Sequence, residues 1–341
     1  MNDGTDPYER KIQLTGGTTY TISLPKGWAN DRSLDTGDTL HLYPRGGRLL
    51  LAPPETDGGE RTVSLSAARH DPAGIERLVA AAYVAGADAV RVDGAPDRAG
   101  RAAVRDAVAG LVGIEIAEET EEAVVARTML DVADLPPTRT LERMADRTLT
   151  MHAEAVAAAL AGDGDAGRRV RGQDDDVDRL FGLLSREFQR SLVEVPADAE
   201  GGLTPFDHYA VARQLERVAD HAAKIAEAAA AIEDPPSDPV AEDLDRLATD
   251  ARAVVERAFS EAIGECDPRT LGVVITDAED LLEETRRLDR ALYERGLADG
   301  YVLATVLDSI TRTVEYGVNV AEVGLRAALR VGPDGPTART A

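Results

Sequence analysis

Between residues 139 and 330 the sequence repeats itself, and no other feature limits the possible folds as tightly. Leu141-Glu142-Arg143-Met144 recurs as Leu244-Asp245-Arg246-Leu247, and Leu215 to Glu227 returns as Ile310 to Glu322. The first offset is 103 residues and the second 95, which a loop around residues 193 to 205, shortened in the second copy, would explain. Within both copies apolar residues recur at helical spacing, broken at Gly162, Gly201-Gly202, Pro235-Pro236, Asp267-Pro268 and near Gly300. Six helices fit, as two three-helix units over residues 136–231 and 236–330, and the Gly- and Pro-rich tail at 331–341 is expected to be disordered.

Upstream the period changes. Residues 8 to 53 read as four short strands, Lys11 to Leu14, Tyr20 to Leu24, Thr39 to Tyr43 and Leu49 to Ala52, with turns at Gly16-Gly17 and Gly46-Gly47 and a break at Pro25 to Trp28. So small a piece, residues 1–54, cannot enclose a core and is expected to pair with a second copy of itself, making a homodimer. Residues 55–135 read as a small α/β domain: strand 62–67, helix 72–85 opened by Asp71-Pro72, strand 89–94, helix 98–110, strands 113–118 and 122–129. Its glycine-containing loop, Gly94 to Gly100, has neither GxGxxG nor a Walker lysine, and its role is unreadable from sequence.

Charge narrows the setting. Sixty-two acidic residues against 38 Lys and Arg leave a net charge of −24, and only Lys11, Lys26 and Lys224 are lysines. That bias suggests a halophile, because at molar salt the screening length falls to about 3 Å and self-repulsion is muted. Residues 1–54 hold six acidic and six basic residues, so the whole excess lies downstream. A single cysteine, Cys266, excludes an intrachain disulfide and fits a reducing compartment. The opening MNDGTDPYERK lacks the regions of a signal peptide, and no apolar run is long enough to span a bilayer, so a cytoplasmic protein without membrane insertion is expected.

The chemistry-bearing residues are paired carboxylates. Glu216 and Asp220 sit one helical turn apart beside the apolar stripe Leu215, Val218, Ala222 and Ile225, and Asp174 and Asp178 repeat the spacing. Such pairs can share a hard cation, Mg²⁺, Mn²⁺ or iron, or else pair with Arg213 and Arg217 or face water. His221 is expected on the bundle surface. A di-iron enzyme would need Glu-x-x-His, and none of the five histidines has Glu three residues before it, so no catalytic residue and no enzyme is expected.

The run Arg213-x-Leu215-Glu216-Arg217-x-x-Asp220-His221-x-x-x-Ile225-Ala226-Glu227 resembles the signature helix of the PhoU family of phosphate-uptake regulators. The resemblance covers residues 139 to 330 and implies tandem three-helix bundles. It also implies acidic metal motifs, matched by Glu216, Asp220, Asp174 and Asp178, and contacts with the phosphate ABC transporter ATPase or an associated signalling protein. The second copy departs from the pattern: Thr311, Glu315 and Leu281 replace Glu216, Asp220 and Asp178, which speaks against a second metal site.

Thr18 to Trp28, followed by Gly37-Asp38-Thr39-Leu40 and Gly47 to Leu51, resembles an AbrB/SpoVT-type swapped-hairpin domain. There two chains interleave into one DNA-binding β-barrel, with Arg10, Lys11, Lys26 and Arg32 as the cations expected to approach phosphate backbones. The expected molecule is thus a phosphate-responsive transcriptional regulator. Its alternatives are a signalling adaptor whose hairpins only dimerise it, and a carboxylate-bridged metal enzyme.

Overall fold

A computed structural model describes residues 8–45, 48–52, 61–94, 97–129, 135–192, 202–232, 235–264, 266–295 and 300–331. The chain divides into two compact units, residues 1–59 and 60–341.

In the first unit β1 (Gln13–Thr15) pairs antiparallel with β2 (Thr19–Thr21), and β3 (His41–Arg45) with β4 (Arg48–Ala52). Gly16 and Gly17 turn the first hairpin at φ +65° and +81°, a region only glycine enters without strain. The break read at Pro25 is a short helix, α1 (Lys26–Asp31), with Pro25 as its N-cap residue. The two hairpins remain separate two-stranded sheets, so one chain by itself closes no barrel among the described residues. None of those residues is buried, and Ile12, Leu14, Tyr20 and Ile22 are each about half exposed or more, at 69%, 58%, 76% and 49%.

The second unit opens with a four-stranded sheet of order β5-β6-β8-β7, from β5 (Thr62–Ser66), β6 (Ala89–Asp93), β7 (Ile114–Glu119) and β8 (Ala123–Thr128). β5 and β6 run parallel, so they need a crossover, and α2 (Pro72–Val84) supplies it; the other pairings are antiparallel. α3 (Arg98–Ala109) packs beside α2. Both helices start where a carboxylate takes a free backbone donor: Asp71 accepts from Gly74 N and Asp97 from Gly100 N, each at 2.8 Å. Ile75, Val79, Tyr83, Val90, Val104 and Val124 form their common core.

Seven helices follow among the described residues, not six: α4 (Pro137–Ala161), α5 (Gly164–Arg171), α6 (Asp174–Ser191), α7 (Pro205–Ala228), α8 (Asp238–Ile263), α9 (Pro268–Arg295) and α10 (Gly300–Val331). The extra one, α5, lies flush on α7, where a Cβ on Gly167 would come within 2.3 Å of the Ala226 carbonyl oxygen. Long helices α4, α6 and α7 make the first three-helix unit and α8, α9 and α10 the second, joined chiefly along α7 and α10. The repeated anchors Leu141, Met144, Leu244 and Leu247 are all inside, at most 1% exposed. Thr204 and Asp207 cap α7 reciprocally, and Arg330 near the end of α10 reaches back to both oxygens of Asp207. No helix among the described residues is long and apolar enough to cross a membrane. Most of the loop expected at 193 to 205, and the tail beyond Val331, lie outside the described residues.

Candidate functional site

α6 and α7 pack along their lengths, and each carries one of the acid pairs read from the sequence. Asp174 and Asp178 occupy successive turns at the start of α6, where the helix dipole favours negative charge. Glu216 and Asp220 do the same midway along α7, held in register by Leu215, Val218, Ala222 and Ile225, all fully buried. The four carboxylates feel one another across the seam. Burial first, then the charges of Asp178, Asp220 and Asp175, push Asp174 up to about 6. Although Asp178 is exposed as a whole residue, partial desolvation of its carboxyl and the charges of Asp220 and Asp175 raise it too. Glu216 is raised by burial and by Asp220, against the pull of Arg213.

The oxygens fall into two groups. Glu216 Oε1 accepts from Arg213 Nη1 at 2.8 Å, and that guanidinium also lies 5.5 Å from the centre of the Phe181 ring. Glu216 Oε2 and Asp174 Oδ1 are buried and accept no hydrogen bond. An anionic oxygen without a donor is costly, and a cation or a proton would satisfy it. Among the described residues no three His, Cys, Asp or Glu side chains converge closely enough to ligate one ion. An all-oxygen set of one or two carboxylates suits an ion of the Mg²⁺ kind, which retains several waters.

His221 is not on the surface. It is 8% exposed, its Nε2 lies 3.4 Å from Tyr316 Oη, and its Nδ1 has no partner. Burial and then Lys224 lower it to about 4. His152 on α4 is fully buried with Nε2 unpartnered; burial, then the charges of Arg252 and His221, lower it to about 3. Both rings are therefore neutral at pH 7.

Sequence reasoning missed the joint between the α/β domain and α6. Arg186 is 1% exposed and donates from Nη1 to the carbonyls of Tyr83 (2.8 Å) and Ala87 (2.6 Å). Asp88 accepts from Arg190 at 2.6 Å and stands 3.4 Å from Arg186 Nη2. Against partial desolvation, these arginines and the Arg61 backbone N–H keep Asp88 below the usual carboxylate range. Arg186-x-x-x-Arg190 on one helix face is the only local signal, and its acceptors lie about a hundred residues away. Beside the joint, Phe181, Tyr209 and Phe188 stack in series, with centroids 5.8 and 5.1 Å apart. Phe181 and Tyr209 wall a cavity of about 430 Å³ that Asp178 also lines. Arg10, Lys11, Lys26 and Arg32, the cations expected from the sequence to approach DNA, belong to the first unit, where Arg10 lies 5.6 Å from the centre of the Tyr8 ring.

Residues 141–229 match the family described as PhoU domain. No curated protein matches the chain. Among solved structures, PhoU from Pseudomonas aeruginosa is similar at 19% identity and a TM-score of 0.51, over 56% of this chain and 94% of that one. The phosphate transport system regulatory protein PhoU from Streptococcus pneumoniae is similar at 13% identity and a TM-score of 0.50, over 56% of this chain and 92% of that one. At such identities the likeness is one of fold, and the tandem helical body of this chain has the PhoU fold, with a PhoU domain at residues 141–229.

Proposed function

We propose that the chain is a non-enzymatic, cytoplasmic regulator of phosphate transport, whose helical body docks on the phosphate ABC transporter ATPase or an associated signalling protein. The observation that carries this reading is the PhoU domain at residues 141–229 set within a two-fold-repeated bundle of the same fold. Co-purification of the tagged full chain with the transporter ATPase from phosphate-replete cells tests it. Recovery of the ATPase is expected, and its absence under crosslinking contradicts the docking step.

The first unit is the part that pairs with a second copy. A strand set with no buried residue and with Ile12, Leu14 and Tyr20 in solvent supports that assignment. In the finer reading the paired unit binds DNA through Arg10, Lys11, Lys26 and Arg32, which makes the protein a transcriptional regulator. In the adaptor reading the pairing is its whole role. Fluorescence anisotropy on phosphate-transport promoter fragments separates them: selective binding lost in an Arg10→Gln, Lys11→Gln, Lys26→Gln, Arg32→Gln variant supports the first, and no selective binding leaves the second.

The paired acids are the proposed cation site. Asp174 Oδ1 and Glu216 Oε2, buried without donors, support a hydrated divalent cation bound through one or two of the carboxylates of Asp174, Asp178, Glu216 and Asp220, with waters completing its shell; it would neutralise like charges gathered on facing turns. Titration with Mn²⁺ monitored by calorimetry is expected to show binding that Asp174→Asn removes. Equal binding by both proteins contradicts the site.

A further inference from the structure

On a chain of net charge −24, one cleft gathers guanidinium groups. Arg143 and Arg147 stand one turn apart on α4, Arg179 faces them from α6, and with Thr150 they line a cavity of about 660 Å³. Arg143 makes no hydrogen bond or ion pair among the described residues. Arg179 Nε is buried and unpartnered, a donor without an acceptor. Asp146 and Asp176 also line the cleft. Asp176 is engaged by Arg147 and stands 3.9 Å from Arg179 Nη1, so three guanidinium groups meet two carboxylates.

We propose that this α4–α6 cleft binds the phosphate oxyanion, as free orthophosphate or as the terminal phosphoryl group of a condensed phosphate. Planar guanidinium groups meet phosphate oxygens in bidentate fashion, and the Thr150 hydroxyl adds a neutral donor. The carboxylates give selectivity. HPO₄²⁻ carries a P–O–H that donates to Asp146 or Asp176, whereas sulfate has no proton at neutral pH and sets lone pairs against them. A site built around a donated hydrogen bond rejects the analogue that lacks it. The proposal rests on the phosphate-regulator reading only for its biological sense, since the chemistry stands on the cleft.

Isothermal titration of the full chain at fixed potassium chloride, with orthophosphate, pyrophosphate and sulfate, tests it. Orthophosphate or pyrophosphate is expected to bind with sulfate about tenfold weaker or more. The tighter of the two phosphates identifies the free ion or the chain end as the source. Arg143→Gln and Arg179→Gln are each expected to weaken phosphate about tenfold, Asp146→Asn to narrow the gap to sulfate, and Arg257→Gln, in an ion pair with Asp277 away from the cleft, to change nothing. Circular dichroism confirms that each variant is folded. The site is overturned if neither phosphate binds, if sulfate binds equally, or if folded Arg143→Gln and Arg179→Gln both bind as the parent does. Phosphate binding here without any effect of the chain on uptake would keep the site and remove the regulatory reading; regulation without binding would do the reverse.

Discussion

His221 on α7 and Tyr316 on α10 occupy equivalent positions in the two copies of the internal repeat, 95 residues apart, and they meet each other: Nε2 and Oη are 3.4 Å apart and the ring centroids 5.6 Å. The joint between the copies is thus built from the same position used twice, with different chemistry on each side. Arg217 adds its guanidinium 5.9 Å from the centre of the Tyr316 ring. Behind His221 lies His152, so two neutral imidazoles are buried close to one interface.

That burial sets a pH dependence. The unfolded chain protonates both rings near 6.5, while the folded one resists until about 4 for His221 and about 3 for His152. The groups acting on them are Arg252 on α8, Lys224 and Asp220 on α7, and Asp308 and Arg312 on α10. Stability is therefore complete above pH 6.5 and lost as pH falls below it, by up to about 1.4 kcal/mol per pH unit for each ring. Urea denaturation from pH 7.5 to 4.5 should show the loss, and His221→Phe should reduce its slope by about one proton.

The acid patch runs the other way. Asp174 is raised to about 6, so the folded state carries a cost at pH 7 that is relieved as pH falls through 6 toward the unfolded value of 3.8. Asp174→Asn should raise metal-free stability at pH 7 and abolish proton uptake by the folded protein near pH 6. Thermal melts at pH 7 and 5, with and without Mn²⁺, check both: a variant less stable than the parent in the absence of metal would contradict the assignment.

Arg186 holds the α/β domain to α6. Arg186→Met leaves the Ala87 carbonyl without its side-chain donor, the Tyr83 carbonyl with the Gly86 N–H alone, and Asp88 with Arg190 and the Arg61 backbone N–H as its remaining donors. Breaking a buried charged network of this kind costs about 3 kcal/mol or more. Chemical denaturation measures the total, and hydrogen exchange should rise first around residues 83–88.

Gly167 is a steric requirement of α5. Gly167→Ala places a methyl 2.3 Å from the Ala226 carbonyl oxygen, so α5 must lift from α7 at a cost of about 1–3 kcal/mol. A melting temperature equal to that of the parent would show that the close contact is not kept in solution.

Legibility in the sequence followed the range of the interactions. The strands and helices between 62 and 128 lie within a residue or two of where period and caps put them, because Asp71-Pro72 and Asp97 act within one turn. The break at Gly162 is real, but α5 just beyond it has no sequence signal of its own, because Gly167 is there to let two backbones touch. The acid pairs were visible as i, i+4 spacing on two helices, but their facing each other depends on how α6 packs on α7. His221 was expected outside because its own helix cannot show that Tyr316 covers it. Arg186 finds its acceptors about a hundred residues away, a separation at which no local pattern speaks.

The most direct test of the regulatory account is phosphate uptake in cells lacking this chain, measured with labelled phosphate under replete and starved conditions and restored with the full chain. The account predicts that deletion uncouples uptake from phosphate supply and that the parent chain restores the coupling. Uptake that still responds normally to phosphate supply in the deletion strain would contradict it.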